Sequence, residues 1–553
     1  MTVKPASVSQ AGPTVSWLPL VIIVIAQLQM GININALPVS LGPIIEDLNA
    51  PATSVSTALV MYSLFVAAFV MLGAKLGKLF GERFVFQVSA VAHGIAMAIM
   101  AFSRDANMMN TAQIIAGLAA ALLVPTLVVL IAANYKDKQQ AQALGILASI
   151  PAISSGLAFV VAGFIATAFS WRYSFGLIFL QSLLVLVLSF RLAPVPRQKN
   201  IKIDFVGVVL SALAVALILI AFNNLNRWGL VLATPEAPFN VLGLSPVPFF
   251  LIIGVVLGQA FFVWIERREA RGKTPLLHRE VLNSREERNA VIAFLVAGAL
   301  GSAISFLIPL YTQIVLGSTP LFTSVAIVPY ALAVALAAIF SVRFYDRIPP
   351  RWLGAGSFIL NAIGFALVGL TVGNDWGTLM VIIGLVIAGI GEGTMLTLLF
   401  NVLVSASPKE FAGDVGALRG VVNNVSSALG AAFAGVVAVS LLTVVLSSSL
   451  NRSALPAEFN LDNFDRVDFV TNAQLESALA NTSATAAQIT EVVRINEVAR
   501  VRALKASFLL LALICLLAIF PAMRLPRHTR GALDVKEILD EETYQKKPLA
   551  DAI

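Results

Sequence analysis

The sequence has little charge. Only 12% of its 553 residues are Asp, Glu, Lys or Arg, whereas 58% are hydrophobic. Soluble domains usually carry about 25% charged residues, so a chain of this length cannot cover a water-facing surface with so few. The composition therefore excludes a single soluble domain, a disordered protein and a nucleic-acid-binding protein. The net charge of +7 is expected to orient the chain in a membrane, because Lys and Arg serve that purpose in membrane proteins.

Residues that carry enzyme chemistry are also scarce. The one cysteine, Cys515, excludes an internal disulfide and any cysteine-based zinc or iron–sulfur site. The three histidines, His93, His278 and His528, lie on different segments. The motifs HExxH, GxSxG and GxxxxGK(S/T) are absent. These absences argue against an enzyme and against an ATP-driven pump, and we expect neither a cofactor nor a metal ion.

Long apolar runs make up most of the chain. A membrane-spanning helix needs about 20 mostly apolar residues, and about fourteen such runs are separated by charge clusters or by Pro, Gly and Asn turns. The runs lie near Trp17–Ser40, Ser54–Leu72, Phe84–Phe102, Asn110–Ala133, Ala141–Ala168, Tyr173–Phe190, Phe205–Asn224, Val247–Ile265, Asn289–Tyr311, Phe322–Val342, Trp352–Val372, Thr378–Val404, Leu418–Leu446 and Leu504–Ala522. The pattern predicts an all-α membrane protein with fourteen transmembrane helices.

Lys and Arg cluster in alternate connections between these runs. Most of the 37 fall on the side that holds both termini, and the largest group lies between Arg267 and Arg288. Because positively charged loops stay in the cytoplasm, we predict a bacterial inner-membrane protein with both termini cytoplasmic. The opposite side carries one long connection, residues 447–503, which we interpret as one or two short helices over the outer face. That connection is either a lid, a docking surface for a partner or a tolerated insertion.

Two connections carry similar basic motifs. The one after the second run reads Ala74-Lys-Leu-Gly-Lys-Leu-Phe-Gly-Glu-Arg83, and the one after the tenth spans Val342–Arg351 with an Asp-Arg pair. Both resemble the gating loop G-x-L-x-D-R-x-G-R-R of the major facilitator superfamily, and the fourteen runs resemble its drug:proton antiporter branch. Further segments that resemble this branch are Trp171–Tyr173, Asp204–Gly207, Trp264–Glu266 and Gly413–Gly420. The gating residues implied are Gly81, Arg83, Asp346, Arg347, Arg351, Asp414 and Arg419.

The resemblance also implies a division of the chain. Two six-helix pseudo-repeats, residues 17–192 and 289–524, are expected to flank two linker helices and a cytoplasmic loop at residues 193–288. The second half includes the outer loop 447–503, and residues 1–16 and 525–553 form cytoplasmic tails. The family moves small molecules by alternating access, and this branch exchanges them for protons.

Several positions depart from the family pattern. Gln29, nine residues before Pro38, stands where the family has an acidic residue in the first span. Gln113, four residues before Gly117, stands where the family has an arginine in the fourth. The antiporter motif G-P-x-x-G-G is reduced to Ala158–Gly163, and the acidic residue of the first gating loop is replaced by Lys78. Because glutamine cannot titrate, any proton coupling needs another group.

Two ionisable residues inside predicted spans are candidates for that group. Glu392 lies between glycines in Gly389–Gly393, where a neighbouring helix or a substrate can approach the backbone. His93 lies in the middle of the third span. An ionisable residue at membrane depth costs about 2.5–3.5 kcal/mol on insertion scales, which favours a functional role. The alternative is a side chain that only satisfies a polar neighbour in a packed interface.

Amide side chains within the spans predict a polar, uncharged cavity. Gln29 and Asn33 are four residues apart and share a helix face. The substrate-cavity candidates are Gln29, Asn33, Gln113, Asn361, Asn401 and Asn423. Such residues also bridge helices without touching a substrate.

The leading hypothesis is a secondary transporter that exports small amphipathic or drug-like molecules and couples to protons through Glu392. The alternatives are an uncoupled facilitator and a non-transporting membrane sensor or assembly protein with a transporter fold. The expected partners are a small-molecule substrate, the lipid bilayer and protons, with no nucleic acid, and we expect a monomer.

Overall fold

The computed structural model describes residues 16–527 except 136, 196, 198–202, 278–284, 346, 376–378, 407–411, 454, 457–467, 481 and 483. Within these residues the chain is helical. The helices are α1 Leu18–Val39, α2 Leu41–Asp47, α3 Thr53–Phe80, α4 Glu82–Ala101, α5 Ala106–Asn134, α6 Asp137–Ala168, α7 Trp171–Ser189, α8 Phe205–Asn223, α9 Leu225–Trp228, α10 Pro246–Ala270, α11 Arg285–Pro309, α12 Pro320–Ser341, α13 Pro350–Thr371, α14 Leu379–Ala406, α15 Ala412–Leu450, α16 Asn472–Ala480 and α17 Ala486–Ala522. A short π-helix, Leu310–Val315, extends α11.

Thirteen helices in the described part of the chain are long and apolar enough to cross a membrane. They include every predicted span but the fifth, where α6 has the shorter apolar stretch Ser154–Ala168. Capping side chains and glycines determine where several of these helices begin. The side chain of Asp105 accepts a hydrogen bond from the Met108 backbone N–H (2.8 Å) at the start of α5, and Gly81 separates α3 from α4 with a φ of +97°.

The helices form two groups, α1 to α7 and α11 to α17, with α8 and α10 beside them. Close packing between the groups comes from α3 against α15 and from α6 against α12, while α8 touches both α3 and α15. Small residues make close approach possible. A Cβ on Gly73 would lie 2.1 Å from the carbonyl oxygen of Ala121, so α3 and α5 pack backbone to backbone there.

The two ends of this bundle carry different connections. We call the end with residues 40–52, 224–245 and 468–480 the hairpin end, and the end with Gly81 and residues 342–345 the motif end. At the hairpin end, the Asp47 carboxylate accepts hydrogen bonds from Trp171 Nε1 (2.9 Å) and Arg172 Nε (3.0 Å). Arg172 also donates to the carbonyl of Ala101 (3.0 Å), so one arginine ties α2, α4 and α7 together.

Two motifs singled out in the sequence meet between α8 and α10. The indole Nε1 of Trp264 donates to Asp204 Oδ1 (3.0 Å), and Arg268 lies 3.4 Å from the same carboxylate. Asp204 also accepts from the Gly207 backbone N–H (3.1 Å) and so begins α8. This buried carboxylate therefore holds the α8–α10 pair together at the motif end.

The last helix differs from the prediction. The sequence places the final span at Leu504–Ala522, after helices lying over the outer face, but α17 runs unbroken from Ala486 to Ala522. Thr485 and Gln488 form a capping box at its start, and no Gly or Pro interrupts the chain before Pro521. The second half of residues 447–503 is thus mostly a straight extension of the last span, with α16 packed beside it.

Candidate translocation site

Two predicted cavity residues bond to each other between α1 and α5. Asn33 Nδ2 donates to Gln113 Oε1 (3.0 Å), and Gln113 Nε2 donates back to Asn33 Oδ1 (3.1 Å). Both side chains are fully buried. A reciprocal amide pair has no titratable proton, so this contact between the two helices keeps the same charge at any physiological pH.

A second polar contact lies nearby along α1. Gln29 Oε1 accepts a hydrogen bond from the Ser182 hydroxyl of α7 (3.1 Å). His93 of α4 is fully buried, and neither of its ring nitrogens has a hydrogen-bond partner within the described residues. Gln29 and Gln113, the two family positions that are substituted, therefore have different partners, Ser182 and Asn33.

Replacing Gln113 by arginine is expected to lower stability by about 3 kcal/mol, because a buried charge without a counter-charge is destabilising on that scale. The second substitution Asn33→Asp should recover most of this loss, since the carboxylate would sit where the amide now accepts from Gln113. Thermal unfolding of the purified single and double variants in detergent measures the coupling. Equal melting temperatures for the Gln113→Arg variant and the double variant would contradict the pairing.

Glu392 lies where α14 meets α11 and α12. The Tyr330 hydroxyl of α12 donates to Glu392 Oε2, and the carboxyl group is buried. Its other oxygen, Oε1, lies against Gly301 of α11, where a Cβ would come within 1.9 Å. The carboxyl group thus contacts two helices besides its own and fills the space that a glycine leaves.

The glycines around Glu392 allow this close packing. A Cβ on Gly389 would lie 2.7 Å from the carbonyl oxygen of Tyr330, and one on Gly393 would lie 2.1 Å from that of Val334. On the opposite side of the helix, a Cβ on Gly391 would lie 2.5 Å from the carbonyl oxygen of Ser357 in α13. The backbone of α14 is therefore pressed against both α12 and α13 at the level of the carboxyl group.

The remaining cavity candidates have different surroundings. Asn361 of α13 is buried, and its side chain lies 3.0 Å from the position of a Cβ on Gly391. Asn423 of α15 is exposed. Asn401 belongs to α14, but its side chain lies outside the described residues. Of the six predicted cavity residues, Gln29, Asn33, Gln113 and Asn361 are buried in the bundle.

The gating candidates that the structure describes lie at the motif end. Arg83 donates to the Phe190 carbonyl oxygen (2.8 Å) and faces the Phe190 ring at 5.9 Å, so it links α4 to the end of α7. Arg347 is exposed, and the guanidinium of the partly buried Arg351 lies 5.4 Å from the Trp352 ring. Arg419 of α15 is partly buried. Asp346 and the Asp414 side chain lie outside the described residues, so their gating roles stay predictions.

Sequence reasoning missed two residues of consequence. Tyr330 follows Pro329 inside an apolar run, and its hydroxyl group near the middle of that run was the available signal. Arg500 precedes the last predicted span and was counted only for its charge, yet it is 1% exposed and donates three hydrogen bonds. An arginine beside an apolar run normally marks the end of a span, so the burial of Arg500 could be found only from the structure.

These features define a multi-span helical membrane protein with polar groups buried between its helices. The sequence model of the Major Facilitator Superfamily matches residues 22–431, and the chain belongs to that superfamily. The family resemblance stated from the motifs is therefore confirmed. Members of this superfamily among the relatives below are transporters, not enzymes.

Two similar proteins are named for drug efflux or drug resistance. The chain is 27% identical over 433 residues to the multidrug efflux pump LfrA of Mycolicibacterium smegmatis, covering 77% of this chain and 81% of LfrA. It is 27% identical over 410 residues to the multidrug resistance protein Stp of Mycobacterium tuberculosis, covering 71% and 70%. Both relatives agree with the drug:proton antiporter branch indicated by the motifs.

Solved structures share the fold. A bacterial homologue of the human lysosomal transporter Spinster, in an inward-facing and unoccupied conformation, superposes with a TM-score of 0.61 at 14% identity, covering 92% of this chain and 96% of that one. A peptide transporter of the POT family bound to sulfate gives 0.58 at 15% identity, covering 92% and 95%. At these identities the likeness concerns the fold alone.

Proposed function

We propose that the protein exports small amphipathic, drug-like molecules across a bacterial inner membrane by alternating access. The relatives named as a multidrug efflux pump and as a multidrug resistance protein support this class of cargo. The buried amides between α1 and α5 support it as well, because they offer hydrogen bonds without charge. The six predicted cavity residues are all amides, which fits a cargo that is neither phosphorylated nor strongly anionic.

The proposed topology has fourteen spans, with α6 added to the thirteen apolar helices. An even number puts both termini on one side, and the Lys and Arg bias assigns that side to the cytoplasm. The hairpin end then faces outwards. Residues 17–192 and 289–524 form the two moving halves, α8 and α10 link them, and the protein works as a monomer.

Alternating access requires contacts between the halves that close one end. Gln313, in the π-helix that extends α11, donates to the Val39 carbonyl (2.8 Å) and accepts from the Gly42 backbone N–H (2.6 Å). The Ser324 hydroxyl of α12 also donates to the Phe159 carbonyl of α6. Each contact joins one proposed half to the other near the hairpin end, which supports an arrangement closed to the outside.

The buried carboxyl group of Glu392 is the observation that carries the coupling proposal. The first half has a neutral Asn33–Gln113 pair and cannot exchange a proton there. Glu392 is held by the Tyr330 hydroxyl between helices of the second half. Protonation would change its hydrogen bond and its fit against Gly301, so proton binding and helix packing are linked at one site.

The Glu392→Gln variant tests this role, because an amide keeps the volume but cannot exchange a proton. A drug panel is first screened to find the drugs that the unchanged protein transports. In proteoliposomes with an imposed pH gradient, the variant should lose the proton-linked transport of those drugs. Exchange of labelled for unlabelled drug without a gradient should survive. The exposed Glu476 provides the matched control, since Glu476→Gln should leave both fluxes unchanged. Unchanged gradient-driven transport by Glu392→Gln would refute the coupling role.

An uncoupled facilitator is the second candidate, favoured by the neutral Asn33–Gln113 pair. A facilitator carries its cargo at the same rate with and without a pH gradient. The same proteoliposomes, loaded with one drug and assayed at equal and at unequal pH, distinguish the two functions. A flux that is independent of the gradient in the unchanged protein would establish the facilitator.

A further inference from the structure

The connection between α8 and α10, residues 224–245, exposes an unusual number of aliphatic side chains. We call it the α8–α10 hairpin. Its exposed apolar residues are Leu230, Val231, Leu232, Phe239, Val241, Leu242 and Leu244. Connections outside a membrane are normally polar, because exposed apolar side chains gain nothing from water. The composition of this hairpin instead resembles that of the spans it joins.

Leu242 at the tip is the most exposed of these side chains, at 98%. It has a φ of +54°, and the following Gly243 has a φ of +80°. Two successive positive φ values are typical of a two-residue hairpin turn, in which Asn or Asp normally takes the first place. A leucine in the left-handed region is strained by its side chain. A strained backbone that presents leucine at the tip points to a use for an apolar group there.

The hairpin backbone bonds to itself. The Ala233 N–H donates to the Gly243 carbonyl (2.9 Å), and the Ser245 N–H donates to the Val231 carbonyl (2.8 Å). Val241 and Leu244 exchange N–H to carbonyl bonds of 3.2 and 3.0 Å across the turn. Unpaired backbone groups cost several kcal/mol each in hydrocarbon, so self-pairing is what insertion of an apolar tip among lipids requires.

The charged and aromatic residues of the hairpin also favour contact with lipid. The hairpin has two charged side chains, and they neutralise each other, because Arg227 Nε lies 2.8 Å from Glu236 Oε2. The Trp228 ring meets that of Phe250 with centroids 5.7 Å apart, and Phe239 meets Phe250 at 6.1 Å. Tryptophan at the end of a span is typical of the level where hydrocarbon meets headgroups.

The position of the hairpin identifies what covers it. Its base is fixed to the bundle, since Asn226 Nδ2 donates to the Val436 carbonyl of α15 (2.8 Å). It joins α8 and α10, the two least buried of the thirteen apolar helices in the described part of the chain. Their outward residues, such as Val209 and Ile253, are exposed in the bundle and face lipid in a membrane. The exposed apolar residues of the hairpin thus lie at the end of the two helices that are most exposed to lipid.

We propose that the tip of the α8–α10 hairpin inserts into the adjacent lipid leaflet, with Leu242 in the hydrocarbon and Trp228 near the headgroups. The occupant of this surface is bilayer lipid, not a second protein. Insertion anchors α8 and α10 to one leaflet while the rest of the bundle moves.

Spin labels measure the depth of the tip. Leu242→Cys is labelled in the full chain, whose natural cysteine Cys515 is buried and replaced by alanine, and the protein is placed in phosphatidylcholine vesicles. Collision with oxygen, which partitions into lipid, should exceed collision with a water-soluble nickel chelate. The control is Glu476→Cys, exposed on α16 at the same end of the bundle, where the nickel chelate should collide several-fold more often than at position 242.

A second label at Leu232→Cys, on the opposite arm of the hairpin, repeats the measurement without altering the strained turn at Leu242 and Gly243. Both labels should be shielded from the nickel chelate and open to oxygen. Nickel access at both positions equal to that at Glu476→Cys would place the hairpin in water and overturn the proposal. Exclusion of both reagents would show protein contact, with a partner or a second copy, and would overturn it equally.

Discussion

Replacing Gly393 by alanine should lower both the stability of the protein and its proton-linked transport. The added Cβ would lie 2.1 Å from the carbonyl oxygen of Val334, and a backbone atom cannot turn aside. The helices α12 and α14 must therefore separate by about 1 Å, at a cost of about 1–3 kcal/mol for overpacking. Tyr330 lies one helical turn from Val334 and would withdraw from Glu392. Thermal unfolding and gradient-driven transport in proteoliposomes measure the two losses.

Gly356→Ala is the matched control, because nothing lies within 4 Å of a Cβ at that position of α13. It should keep the melting temperature and the transport rate of the unchanged protein, and the higher helix propensity of alanine should even favour it. If Gly393→Ala unfolds at the same temperature as Gly356→Ala, then α12 and α14 are not pressed together as described. If it is destabilised yet retains full coupling, the contact between Tyr330 and Glu392 is not needed for transport.

The apolar runs predicted the helices well, because the thickness of the membrane sets the length of an apolar run and of the helix that it forms. Span eleven was expected near Trp352–Val372 and is found as Pro350–Thr371. The ends were less accurate, since an apolar run reports the hydrocarbon thickness and a helix can continue beyond it. Thus α3 extends to Phe80 through basic residues, and α17 begins at Ala486, well before the last run. Polar helix turns outside the membrane leave no signal in hydropathy.

The sequence predicted which residues lie in the candidate site better than it predicted which of them bond to each other. Sequence reasoning selected Asn33, Gln113 and Glu392, and all three are buried. It placed Gln29 and Asn33 on one helix face and assigned no partner to Gln113, whereas Gln113 forms hydrogen bonds with Asn33. Which side chains pair depends on the rotation of each helix about its axis and on its height relative to its neighbour. The spacing of residues within one helix contains no information on either. For the same reason Tyr330, on another helix, could not be assigned to Glu392 in advance.

Replacing Arg500 by methionine should loosen the segment that crosses the hairpin end. Its guanidinium donates to the carbonyls of Ile314 (3.1 Å) and Val470 (2.6 Å) and to Asn472 Oδ1, so it joins α17 to the π-helix and to residues 468–472. A cation also stabilises the unpaired carbonyls at the end of a helix. Methionine keeps the length of the stem and leaves these acceptors buried without a donor, at a cost of about 3 kcal/mol.

The Arg500→Met variant should lose stability both in the whole protein and near residue 470, because residues 468–472 touch both groups of helices. Asp468 accepts from the Thr53 hydroxyl of α3 (2.8 Å), and Phe469 is buried beside Phe306 of α11. Arg500→Met should therefore lower the melting temperature and speed proteolysis near residue 470 several-fold. The exposed Arg494, paired with Glu491 one turn away on α17, is the control, since surface ion pairs add little. Equal proteolysis of Arg494→Met and Arg500→Met would show that Arg500 does not hold the segment, and the closure at this end would then rest on Gln313 instead.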